Sequence, residues 1–109
     1  MFVAGCDEKS IRTVVSRLEK IGGGAVVAVG SKILAEYPAK LCGIVSLEDI
    51  KTAWNQMQRT ERALAELGVR WDKPILTLNT LGTAAIPHLR ITHHGYVRLK
   101  DRAVLPLNL

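Results

Sequence analysis

Apolar residues fall into two helical stripes and several short alternating runs. Ile11, Val14, Val15, Leu18 and Ile21 recur at the three- and four-residue spacing of one helix face, with Arg12, Arg17, Glu19 and Lys20 on the other. Asp7 stands where it can cap this helix, and Glu8 lies near the positive end of its dipole. Gly22 follows the last apolar position, where a helix commonly ends in a left-handed residue that glycine reaches without a Cβ clash. Ala25–Val29 is then a short apolar run, Gly30-Ser31 a turn and Lys32–Tyr37 an alternating strand. Gly-Ser suits a type II′ hairpin, which needs positive φ at its first central residue. The register this sets pairs Ala28 with Ile33, Val27 with Leu34 and Val26 with Ala35. The first of these strands is apolar on both faces, which predicts a place inside a sheet with the helix over one side.

The pattern elsewhere fills in the layer. Phe2–Gly5 reads as an opening strand, Pro38 ends the ribbon, and Ala39–Val45 is an apolar connection with a short extended piece at Leu41-Cys42. Ser46 with Asp49 three residues on resembles a capping box. A second, longer stripe follows in Leu47, Ile50, Trp54, Met57, Leu64 and Leu67, interrupted by Glu61, widened by Ala53 and Ala63 and closed by Gly68. It predicts a helix of about six turns whose Trp54 and Met57 point into the core. Pro74–Asn79 reads as a strand, Leu81–Ile86 as a turn or short helix, and Leu89–Thr92 with Tyr96–Leu99 as strands around a His93-His94-Gly95 turn. Ala103–Leu107 is a last strand placed at an edge by Pro106. The expectation is an α+β single domain over residues 1–109, in two layers, with a mixed β-sheet and two long helices packed on one face.

Composition changes this picture little. The chain has 109 residues, enough for one core, and its hydrophobic fraction of 48% and charged fraction of 23% are ordinary for a globular protein. No apolar run approaches the roughly 20 residues that cross a bilayer. Cys6 and Cys42 make no disulfide framework, and Met1–Gly5 is too short for the apolar core of a signal peptide, so a cytoplasmic location with free thiols is expected. The net charge of +5 and a pI near 9.6 raise a nucleic-acid partner. The basic residues are dispersed, however, and the dense Arg98–Arg102 stretch is interrupted by Asp101. With the aromatics equally scattered, a solvated basic surface is the better reading.

Groups able to do chemistry are few. Gly22-Gly23-Gly24 follows a helix and precedes a strand, the reverse of a phosphate-binding loop, and so reads as a cap. His93 and His94 are sequence neighbours that point apart on a strand, and neither they nor His88 complete a metal-ligand spacing. Cys42 beside Gly43, and Ser46 before the long helix, are tempting nucleophiles, but no base is placed beside either. Glu48 and Asp49 read as partners of the helix dipole. These residues alone assign no active site.

Taken in order, the segments resemble the C-terminal domain of adenine deaminase, a metal-dependent amidohydrolase. The likeness runs through Phe2-Val3-Ala4-Gly5, Arg17-Leu18-Glu19-Lys20-Ile21-Gly22-Gly23-Gly24 before Ala25-Val26-Val27, and Lys32-Ile33-Leu34-Ala35-Glu36-Tyr37-Pro38. It continues through Gly43-Ile44-Val45-Ser46, Pro74-Ile75-Leu76-Thr77-Leu78 and Ile86-Pro87-His88-Leu89-Arg90-Ile91-Thr92 to Gly95-Tyr96-Val97. The resemblance implies hydrolysis of adenine to hypoxanthine and ammonia, with divalent metals such as manganese or iron held by a TIM barrel whose ligands begin with a His-x-His pair. None of those ligands is in this sequence, so the resemblance carries no catalytic, cofactor-binding or metal-binding residue to any position. Gly30-Ser31 replaces the family's usual Asp-Gly turn, Lys40 a common proline, and Asn79-Thr80 a common Ser-Phe. Whether the chain is itself an enzyme is left open. It is expected to be inactive alone, as a detached domain, a subunit completing a separate barrel, or a basic module reusing the fold. Its apolar Ala39–Val45 and Leu81–Ile86 segments predict a two-fold homodimer.

Overall fold

The computed structural model describes residues 1–81, 88–92 and 95–106, which group into two compact units. The larger, Val3–Pro74, contains helix α1 (Glu8–Ile21), strands β1 (Gly24–Val29) and β2 (Lys32–Pro38), and helix α2 (Ile50–Glu66). The α+β class is borne out. The sheet is not mixed: β1 and β2 form one antiparallel ribbon, and β3 (Leu89–Thr92), β4 (Gly95–Arg98) and β5 (Ala103–Leu105) form a second antiparallel sheet. β1 therefore does not lie inside a wide sheet. Among the described residues it pairs with β2 alone; α1 packs chiefly on β1 and α2 chiefly on β2.

Both helices end as their glycines dictate. Gly22 takes a left-handed conformation (φ 78°) and its N–H reaches the Leu18 carbonyl. Gly68 (φ 90°) donates to Ala65 and Val69 to Leu64, the two bonds of a Schellman motif. The hairpin turn carries positive φ on Gly30 (56°) and not on Ser31, as a type II′ turn requires. Its register matches expectation at Ala28↔Ile33, then shifts: Val27 faces Ala35 and Val26 faces Glu36. Leu34 is the extra residue of a β-bulge, which no hydrophobic alternation announces. The core gathers Leu18, Val27, Tyr37, Ala39 and Ala63, with Ser10 and Thr60 as buried polar members.

Four local expectations fail for identifiable reasons. Phe2–Gly5 joins no ladder; Gly5 lies so close under Ile11 that a Cβ there would stand 2.8 Å from its Cγ1. α2 is capped by Asp49 and not by Ser46: the Asp49 carboxylate accepts from the N–H groups of Lys51 and Thr52 at 3.0 Å, whereas Ser46 Oγ accepts only from Glu48 N–H at 3.2 Å. Pro74–Asn79 is not a strand but the start of helix α3 (Pro74–Leu81). Proline suits a first helical turn, where its missing N–H has no partner to lose, as well as it suits a strand start. Trp54, expected in the core, is exposed at 61%, and Met57 is half-buried.

In the second unit, Met1–Phe2 with Ile75–Leu109, β3 and β4 pair as expected; His93 and His94, where a turn is expected, lie outside the described residues. β5 is an edge strand followed by Pro106, again as expected. Of the Leu81–Ile86 segment only Leu81, the last residue of α3, is described.

Candidate functional site

A polar network in the larger unit joins the start of α1 to the hairpin tip. Asp7 caps α1, accepting from Ser10 N–H at 2.8 Å and from Ser10 Oγ–H at 2.6 Å. Ser10 Oγ in turn accepts the Gly30 N–H at 2.8 Å, and Thr13 Oγ1 donates to the Gly30 carbonyl at 2.7 Å. The hairpin tip is thus held at both its donor and its acceptor by one helix face. Hydrogen bonds from Ser10 hold the Asp7 carboxyl below its ordinary pKa. One turn further along α1, Arg17 makes a two-pronged pair with Glu36 on β2 at 2.7 and 2.8 Å, which likewise lowers the Glu36 carboxyl. Aspartate three residues before serine at a helix start was a readable signal for the cap. The reach of Ser10 and Thr13 to Gly30 depends on how the ribbon folds back and had no sequence signature.

The glycine triplet serves packing. A Cβ on Gly24 would collide with the Tyr37 carbonyl and lie 2.7 Å from Ala39 N, and one on Gly23 would stand 3.0 Å from the Ala39 carbonyl oxygen. Ala39 N–H donates to the Gly23 carbonyl at 3.0 Å, so two backbones run in contact here. This is a close chain crossing after a helix C-terminus, not an anion cradle.

The remaining candidates do not converge. Cys6 and Cys42 are exposed free thiols, Cys42 (φ 56°) forming with Gly43 (φ 74°) the turn between Leu41 and Val45, which bridge each other. Asp49 is held below its ordinary pKa by its bonds from Thr52, as befits a cap. His88 is exposed with φ 88°, and its carbonyl accepts from Leu99 N–H at 2.8 Å. His93 and His94 lie outside the described residues. Arg98 is paired with Asp101 at 2.6 Å, so the dense basic stretch is partly neutralised. Two shallow open depressions flank Ile33, one lined by Arg12, Arg17 and Lys20, the other by Lys32, Arg59 and Arg62. Of these cations, Arg12 is paired with Glu8 and Arg17 with Glu36.

Comparison with known proteins decides the family: the model described as the adenine deaminase C-terminal domain matches residues 1–103. The chain belongs to the adenine deaminase C-terminal domain family. Its curated relatives include an adenine deaminase of Brucella abortus (strain 2308), 36% identical over 95 residues, which are 87% of this chain and 16% of that protein. Adenine deaminases of Oleidesulfovibrio alaskensis (31% identical, 98% of this chain and 19% of that protein) and Cereibacter sphaeroides strain KD131 (34%, 97% and 19%) match almost end to end. The chain spans under a fifth of the length of these relatives. No solved structure matches it significantly.

The resemblance read from the sequence is therefore borne out for this adenine deaminase C-terminal domain. The divalent metals that the resemblance implies belong to a barrel, and this chain is expected to hold none. Among the described residues no group of three His, Cys, Asp or Glu side chains could hold an ion. Asp7, Glu36, Asp49 and Asp101 are engaged in caps or ion pairs. No metal-assisted step is assigned to them. Nor, among the described residues, is any helix long and apolar enough to cross a membrane.

Proposed function

We propose that this chain is the non-catalytic C-terminal domain of a cytoplasmic adenine deaminase system, supplying structure and no catalytic or metal-ligating residue. On this reading hydrolysis of adenine to hypoxanthine and ammonia belongs to a barrel, encoded separately or elsewhere. The observation that carries the reading is the coverage: nearly all of this chain corresponds to under a fifth of each adenine deaminase it matches. Consistent with it, among the described residues each ionisable group with a displaced pKa has a structural hydrogen-bond partner. The chain is incubated with adenine and manganese and released ammonia is measured. The expected rate equals that of the metal-only control, and turnover above it refutes the reading.

A second reading, a basic binding module, draws on the two cation-lined depressions beside Ile33. It predicts salt-sensitive binding of a single-stranded oligonucleotide, weakened by Arg59→Ala with Arg62→Ala. The pairing of Arg12 and Arg17 with acids leaves that surface less charged than its composition suggests.

A further inference from the structure

The apolar stripe of α2 is wider than the ribbon beneath it. Ala53, Thr60, Ala63 and Leu64 lie along the covered flank, Thr60 with no exposure at all. Ile50 and Trp54, one turn apart on the other flank, are 89% and 61% exposed. The surplus continues toward the N-terminus: Leu47 is 73% exposed, and Leu41, Ile44 and Val45 each expose half or more. Six large apolar side chains within residues 41–54 thus face outward, against the roughly 300–600 Å² of the largest patch on a typical soluble monomer.

Hydrogen bonds from backbone and side chains hold this face. Leu41 and Val45 bridge each other, the buried Tyr37 donates its hydroxyl to the Ile44 carbonyl at 3.4 Å, and Asp49 caps α2. Lys40, Glu48 and Lys51, all exposed, give it a polar rim. An apolar centre with a polar rim on a pre-set backbone is the anatomy of an interface.

We propose that the face from Leu41 to Trp54 is where the larger catalytic portion of an adenine deaminase docks, an inference that rests on the accessory-domain reading above. The relatives carry this fold as 16–19% of their length, so in them it stands beside a partner several times its size. A second copy of the chain is the rival occupant.

The test is a chimera in which the matched segment of the Brucella abortus adenine deaminase is replaced by this chain, compared with the chain alone. Hydroxyl-radical footprinting reads Leu47, Ile50 and Trp54 directly. Strong labelling is expected in the isolated chain and a severalfold fall in the chimera, with labelling at the half-exposed Trp71 as the internal reference. Ile50→Asp with Trp54→Asp should leave the melting temperature of the isolated chain in place and lower that of the chimera. An active chimera whose Leu47, Ile50 and Trp54 label as in the isolated chain overturns the docking face and leaves the accessory reading standing. A folded chimera with the face protected but no deaminase activity overturns the accessory reading instead. A chimera that does not fold, or protection of the same residues in a dimer of the isolated chain, counts against the docking proposal.

Discussion

Residues 7–39 and residues 41–54 are both rich in apolar side chains and differ in how far these are covered. In the first stretch α1 and the ribbon cover one another: the α1 stripe is buried or half-buried, and the turn polar groups at Gly30 find Ser10 and Thr13. In the second, Leu47, Ile50 and Trp54 stand in solvent above a well-capped helix start. The difference teaches that an apolar stripe states how much surface must be covered and not which body covers it. Where the sequence itself supplies the cover, here a hairpin folded back on the preceding helix, the stripe is a core. Where it does not, the stripe is an invitation.

Substitutions should rank accordingly. The largest effect is expected from Gly24→Val, where a branched side chain meets the Tyr37 carbonyl at a residue with φ 123°. Overpacking and a left-handed backbone together should cost about 4 kcal/mol or more. Urea melts should show the variant unfolded or with a far lower midpoint; a midpoint near the parent would mean that the chain crossing is loose. Ser10→Ala comes next, because it removes an acceptor from the Gly30 N–H and a donor from Asp7. A loss of about 1–3 kcal/mol is expected, with Ser10→Thr recovering part of it. Gly30→Ala meets open space and only a strained φ, so about 1 kcal/mol should be lost in the same melts.

Acid should weaken the first stretch through its paired carboxyls and the second through the Asp49 cap. The Glu36 and Asp7 carboxyls are held below their ordinary values by Arg17 and Ser10. A depressed pKa contributes stability that is complete above the ordinary value and lost as pH falls through the lowered one. The melting temperature should therefore decline below about pH 4.5, and Glu36→Gln should flatten that decline while lowering stability at neutral pH. An unchanged acid limb in Glu36→Gln would show that the Arg17 pair is ornamental in solution. The smallest effect is reserved for Ile50→Asp in the isolated chain, expected within about 0.5 kcal/mol of the parent. At the first residue of α2 a new carboxylate even sits favourably on the helix dipole, so a clear loss of stability would mean that the face is already covered.

Much of this was legible beforehand. Helix stops at Gly22 and Gly68, the Gly30-Ser31 turn, the β3–β4 pairing and the edge position of β5 all follow from local chemistry that nothing distant can override cheaply. What escaped notice depends on partners remote in sequence. Pro74 fits a helix start and a strand start equally, and only its surroundings choose. Trp54 belongs to a stripe whose buried flank is decided by where β2 lies. The family match rests on the order of segments along the chain, while Asp7, Ser10, Thr13 and Asp49 hold this segment's own turns and helix starts.

The bulge at Leu34 has a consequence for the chain's life at high concentration. Among the described residues β2 has β1 as its sole ladder partner, and its outer edge carries Ile33 and Leu34, both partly exposed. An even, flat edge of that kind templates strand-to-strand addition and fibrous aggregates. The extra residue breaks the two-residue repeat in mid-strand, Lys32 places a charge at one end and Pro38 removes a donor at the other. A strand approaching from outside can keep register over only a few residues before its hydrogen bonds fall out of step. The ribbon thereby stays a closed pair, and a surface that must remain adhesive on one side is kept from polymerising on another.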